Sequence, residues 1–122
     1  EIEEHFTRLV KQTAERFGGS VDIEYINGHP PVINDDTITD QLEQSASQIV
    51  GSDHIIDLGQ PSMGADDFGY YSEQLPSTYF RLGISETDET TYDLHHPQFK
   101  FNEQAIIYGA KIFTQYALDT LS

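Results

Sequence analysis

The run Gly28-His29-Pro30-Pro31-Val32-Ile33-Asn34-Asp35 divides this chain and limits what it can fold into. Each proline holds φ at about −65°, lacks an amide proton and disfavours helix in the residue before it. Neither a helix nor a central strand can pass through such a run, so residues 29–35 read as a hinge. The two sides of it are patterned differently. Before it, Ile2, Phe6, Leu9, Val10, Thr13 and Phe17 fall on one face of a helix over residues 2–17, which Gly18-Gly19 stops. "SVDIEYIN" then alternates, with Val21, Ile23 and Tyr25 on one side and Asp22 and Glu24 on the other. That spacing predicts a half-buried strand over 20–27, of the kind found in an antiparallel sheet with one wet face. A helix and a strand with nothing to pair against are an incomplete unit.

After the hinge, helices and strands alternate. Thr37 with Asp40 three residues on resembles a capping box, and Ile38, Leu42, Ala46 and Ile49 form the apolar stripe of the helix it starts, which Gly51 ends. "HIIDL" (54–58) predicts a short strand, "GQPSMG" a loop, and "ADDFGYYSEQL" (65–75) a short helix with Asp66 and Asp67 in its first turn. "STYFRLGI" (77–84) predicts a central strand, and "SETDETTYD" (85–93) an acidic surface loop. Asn102 caps a final helix whose predicted stripe is Ile106, Ala110, Phe113, Ala117 and Leu121. The expected fold class is α/β.

Six Lys and Arg stand against 21 Asp and Glu, a formal charge of −15. A field of that sign repels phosphate backbones and anionic lipid, which argues against nucleic-acid and membrane-surface roles. No apolar run approaches membrane-spanning length. With no cysteine there is no thiolate zinc site in the chain, and the composition suits a cytoplasmic protein. The chain opens on "EIEEHFTRLV", already helical in character and without an initiator methionine, so further sequence is expected upstream.

Two of the five histidines, His95 and His96, sit side by side in "YDLHHPQFKFNEQA". Pro97 biases His96 toward extended backbone, where neighbours point to opposite sides. Counting by twos, His95 shares a side with Phe99 and Phe101, and His96 with Gln98 and Lys100. His95 is therefore expected to face inward and His96 outward. An inward histidine is more often a hydrogen-bonded core residue than a ligand, and no second ligand lies at a recognisable spacing. Ser62 has no histidine or acid at a telling distance and reads as a loop or cap hydroxyl.

"PSMGADDFGYY", "LPSTYFRLGI" and "LHHPQFKFNEQAIIYGAKIF", in that order and spacing, resemble the C-terminal portion of the M20 family of metallopeptidases and amidohydrolases. "YINGHPPVIND" is similar to the family's strand-to-hinge segment, and the branch most resembled is that of the N-acyl-amino-acid, hippurate and auxin-conjugate amidohydrolases. The resemblance implies a two-layer or three-layer α/β catalytic domain holding two metals, with an inserted α+β lid or dimerisation domain. Residues 1–28 would be the end of the lid, 29–35 the hinge, and 36–122 the final part of the catalytic domain.

By the same resemblance, His95 is the family's last metal ligand and His96 is not a ligand. Met63, Gly64, His96 and Asn34 fall in the substrate cleft, and Asp66 stands where the family usually has Glu. The implied cofactor is a divalent metal (Zn, Mn or Co), dinuclear in the intact protein, and the general-base Glu lies upstream. The implied partners are a small N-acyl amino acid or peptide substrate and, for the full-length protein, a second copy in a homodimer. The implied reaction is amide hydrolysis by a metal-activated water, with the isolated chain inactive. Dipeptidase or carboxypeptidase activity, or a non-catalytic interaction domain of the same fold, are the alternatives.

Overall fold

The computed structural model describes residues 1–85 and 92–121. In chain order these form α1 (Ile2–Arg16), α2 (Asp36–Val50), a 3₁₀ turn (Ser52–His54), α3 (Gly69–Ser72) and α4 (Gln104–Leu121). Residues 86–91 of the expected acidic loop lie outside the described residues.

The first helix follows the sequence pattern. Glu3 and Glu4 in its first turn and Arg16 in its last complement the helix dipole. It stops as expected, with Gly18 at φ +74° and the amide of Gly19 returning to Ala14 O at 2.9 Å. None of its residues is buried. Phe6, Leu9, Val10, Thr13 and Ala14 instead face Val21 across an open apolar groove of about 530 Å³. Phe6 meets Tyr25 edge-on, with ring centroids 6.5 Å apart. Among the described helices, α1 packs against none of the others.

The core lies between α2 and α4. Leu42, Ala46 and Ile112 are buried there, with Ile49, Val50, Ile55, Phe80, Leu82 and Tyr116 packed around them. The stripe expected on α2 is the one buried, but the helix begins differently from the predicted capping box. Asp35, not Thr37, accepts the Ile38 amide through Oδ1 at 3.0 Å, and Thr39 Oγ1 donates to the Asp35 carbonyl at 2.8 Å. The extended backbone of Asp35 (φ −76°, ψ 128°) suits an N-cap, and its short carboxylate reaches the orphan amide.

On α4 the cap is as expected: Asn102 Oδ1 accepts from the Gln104 amide at 2.9 Å. The predicted stripe is not the buried one. Ala105, Gly109 and Ile112 are buried, whereas Ile106, Phe113 and Leu121 are exposed. The helix is apolar around much of its circumference, so periodicity offers two candidate faces. The small residues Ala105 and Gly109 decide between them, because they admit close neighbours. A Cβ on Gly109 would sit 3.2 Å from Leu82 Cδ2.

The expected strands do not form among the described residues, so the α/β layering is not formed within them. Residues 20–27, 54–58 and 77–84 carry no ladder; His54 closes the 3₁₀ turn, and Ile56 and Leu58 are exposed. A strand is defined by its hydrogen-bonded neighbour, and these segments have none here. The 77–84 segment is held instead at isolated points, by the Asp35 amide on Ser77 O (2.8 Å) and the Asn102 amide on Ile84 O (2.9 Å). The helix expected over 65–75 is regular only over Gly69–Ser72.

Candidate functional site

Two stretches carry the candidate residues. The first is the histidine turn. The His96 amide donates to Asp93 O at 3.1 Å and the Phe99 amide to His96 O at 2.9 Å, so two tight turns follow one another. His95 has φ +71°, at the third position of the first turn, which type II geometry reserves for glycine or asparagine. Consecutive turns abolish the alternation of an extended segment. His95 and His96 are both exposed, which corrects the expected inward placement of His95, while Phe99 is half-buried against Phe101.

The two imidazoles are nonetheless held differently. His96 stacks on Tyr92 with centroids 4.2 Å apart and planes 9° apart, and its Nδ1 accepts the Gln98 amide at 3.1 Å. That bond occupies the Nδ1 lone pair and, in the neutral ring, leaves the proton on Nε2. Neither nitrogen of His96 then offers a metal a free lone pair. His95 makes no hydrogen bond, ion pair or ring contact among the described residues, so it keeps one.

The second stretch is the loop before α3. Met63 is 97% exposed, and Ser62 Oγ accepts from the Gly64 amide at 3.2 Å, a turn role for that hydroxyl. Asp66 accepts the Phe68 amide on Oδ1 at 2.8 Å and the Tyr79 hydroxyl on Oδ2 at 3.2 Å. The charge of Asp66 and its acceptance of that proton raise the Tyr79 pKa above the ordinary phenol value. Phe68 packs on Tyr79 at 5.3 Å and Tyr71 at 5.8 Å.

Asn34 joins this loop from the hinge side. Its Nδ2 donates to Tyr79 O at 3.0 Å and its Oδ1 accepts the Tyr79 amide at 2.9 Å, so one side chain satisfies a peptide unit as a paired strand would. Sequence reasoning singled out Asn34 and Asp66 but not Tyr79, which connects them. No local pattern pairs residues 45 apart in the chain. No hydrogen bond or ring contact ties His95 or His96 to Asn34, Met63 or Gly64 among the described residues.

No three His, Cys, Asp or Glu side chains among the described residues converge closely enough to hold a metal ion. The donors present do not make a metal site by themselves. His95 offers a single imidazole, and a catalytic zinc ordinarily takes three protein ligands.

Residues 3–119 match the model of peptidase family M20/M25/M40. The chain is similar to "Putative amidohydrolase YhaA" of Bacillus subtilis (strain 168), with 34% identity over 118 residues, 96% of this chain and 30% of that protein. It is similar to the N-acetyl-L-cysteine deacetylase of the same organism, with 29% identity over 88% of this chain and 24% of that protein. With the IAA-amino acid hydrolase ILR1-like 2 of Arabidopsis thaliana it shares 27% identity over 75% of this chain and 21% of that protein. The chain thus spans less than a third of the length of each of these relatives. No solved structure matches it significantly. The match over residues 3–119, together with the identity to these relatives, places the chain in peptidase family M20/M25/M40.

Proposed function

We propose that this chain is the C-terminal part of a metal-dependent amidohydrolase that cleaves the amide bond of N-acyl amino acids or small peptides. The family match and the names of the relatives, which include a deacetylase of N-acetyl-L-cysteine and a hydrolase of IAA-amino acids, support amide hydrolysis of small conjugates. Residues 1–28 belong to a lid or dimerisation domain, and 36–122 to an α/β catalytic domain whose remaining strands pair with 54–58 and 77–84. The complete protein is a cytoplasmic homodimer.

The observation that carries the site assignment is the contrast between the two imidazoles. His95 has a free ring on an exposed turn, whereas the Nδ1 of His96 is engaged by the Gln98 amide. His95 is the chain's contribution to a divalent metal pair, zinc, manganese or cobalt. Such a pair activates a water and polarises the scissile carbonyl. His96, with its proton on Nε2, lines the substrate cleft as a hydrogen-bond donor, and Met63, Gly64 and Asn34 belong to the same cleft in the complete protein. The other ligands and the general-base Glu come from sequence outside this chain, so the chain alone is inactive.

Turnover of N-acetyl and N-benzoyl amino acids against dipeptides, with each metal added in turn, tests the reading on both the complete protein and the 122-residue chain. Hydrolysis of N-acyl amino acids by the complete protein alone is expected. Dipeptide cleavage in its place points to an M20 peptidase. Turnover by the isolated chain contradicts the assignment of its missing ligands.

A further inference from the structure

The proline run was expected to act as a hinge over 29–35, but its contacts are not those of a free linker. The Pro30 carbonyl lies so close over Gly69 that a Cβ there would collide with it. The His29 ring meets Tyr70 edge-on at 5.7 Å. Asn34 clasps the Tyr79 peptide with two hydrogen bonds, and the Asp35 amide donates to Ser77 O while its carboxylate caps α2. These contacts bind the run to α2, α3 and the 77–84 segment.

On the other side, Val21 lines the groove with α1 and Tyr25 rests against Phe6. Between Tyr25 and His29 only Ile26, Asn27 and Gly28 remain. All three are exposed, Ile26 is 80% accessible, and nothing lies within 4 Å of where a Gly28 Cβ would be. No residue from 20 to 33 makes a hydrogen bond among the described residues.

We propose that the pivot between the N-terminal helix–strand unit and the rest of the chain is confined to Ile26-Asn27-Gly28, and that residues 29–35 are a clamp fixed to the body. Gly28 supplies the conformational freedom a three-residue pivot needs. Motion of the N-terminal unit then leaves the Asn34–Tyr79–Asp66 connection in place. The inference rests on geometry and does not depend on the hydrolase reading.

Residual dipolar couplings of the backbone amides in the 122-residue chain test it. Couplings of residues 32–35 should fit the alignment tensor of α2 and α4, and those of α1 a second tensor. In Asn34→Ala, residues 32–34 should leave the body's tensor, while α2, α4 and Asp35, which still caps α2, keep it. A single tensor for all helices, or residues 32–35 fitting neither helix set, overturns the proposal. So does an Asn34→Ala variant whose residues 32–34 stay aligned with α2. Amide exchange in the complete protein gives a second readout. Asp35 and Tyr79 should exchange at least tenfold more slowly than Asn27 and Gly28, and equal rates refute the clamp.

Discussion

Replacing Gly69 by Ala is expected to destabilise the chain although it puts a better helix former into α3. In a helix interior alanine gains about 0.5–1 kcal/mol over glycine, an upper bound at Gly69, the first residue of α3. Against this, the new Cβ meets the Pro30 carbonyl oxygen, with Pro30 C at 2.9 Å and Cγ at 3.1 Å also in the way. A backbone group cannot rotate aside as a side chain does, and overpacking of this kind costs about 1–3 kcal/mol. The penalty has a ceiling, because the proline run can detach instead. Detachment forfeits the two Asn34–Tyr79 bonds and the Asp35–Ser77 bond, each worth roughly 0.5–1.5 kcal/mol net. The net expectation is a loss of about 1–2 kcal/mol. Gly109→Ala is the internal control. Its Cβ would press only on Leu82 Cδ2, the end of a flexible side chain, and mid-helix alanine gains up to about 1 kcal/mol, so little net change is expected. Urea unfolding followed by far-UV circular dichroism compares the two. A Gly69→Ala protein as stable as the wild type, or a Gly109→Ala protein that loses as much as Gly69→Ala, would refute the reasoning.

Three further outcomes are expected. Asp119 accepts hydrogen bonds from Ser45 (2.7 Å), Gln115 (2.8 Å) and Gln48 (3.1 Å), chiefly the first two lowering its pKa. A depressed carboxylate stabilises the fold fully above its unfolded value of about 3.9 and loses that contribution as pH falls through the lower folded value. Asp119→Asn should therefore flatten the acid limb of the stability profile, measured by urea unfolding from pH 6 downward. Asp66→Asn should lower the Tyr79 titration toward the ordinary phenol value of about 10, read from tyrosine absorbance in alkali, and an unchanged titration contradicts the assigned cause. His95→Gly relieves a left-handed backbone and should raise the stability of the chain by about 1 kcal/mol, whereas His96→Gly should not.

Local chemistry made some of this structure legible. The α2 stripe, the glycine stop after α1 and the Asn102 cap depend on residues within a turn or two of one another, and all three are present. What failed depended on distance or on a second possible face. The alternation in 20–27 and 77–84 is a property of strands, but a ladder needs a neighbour, and none is provided among the described residues. On α4 the wrong apolar face was expected, because Ile106, Phe113 and Leu121 are as periodic as Ala105, Gly109 and Ile112.

The histidine pair shows a finer limit. Counting by twos assumed extended backbone, and the Asp93–His96 turn removes that assumption, so His95 is exposed rather than inward. The feature that distinguishes the two rings, the Gln98 amide on His96 Nδ1, is a geometric detail that spacing does not carry. Ser45, 2% exposed and bonded to Asp119 74 residues away, left no local signal either.

The metal content of two variants of the complete protein tests the central claim most directly. His95→Ala should lose bound metal, because the unengaged ring of His95 is gone, and His96→Ser should keep the wild-type stoichiometry, because that ring's Nδ1 is already occupied. Inductively coupled plasma mass spectrometry on the purified proteins reads both. Full metal in His95→Ala with loss in His96→Ser would reverse the assignment, and full metal in both would remove this chain from the metal centre.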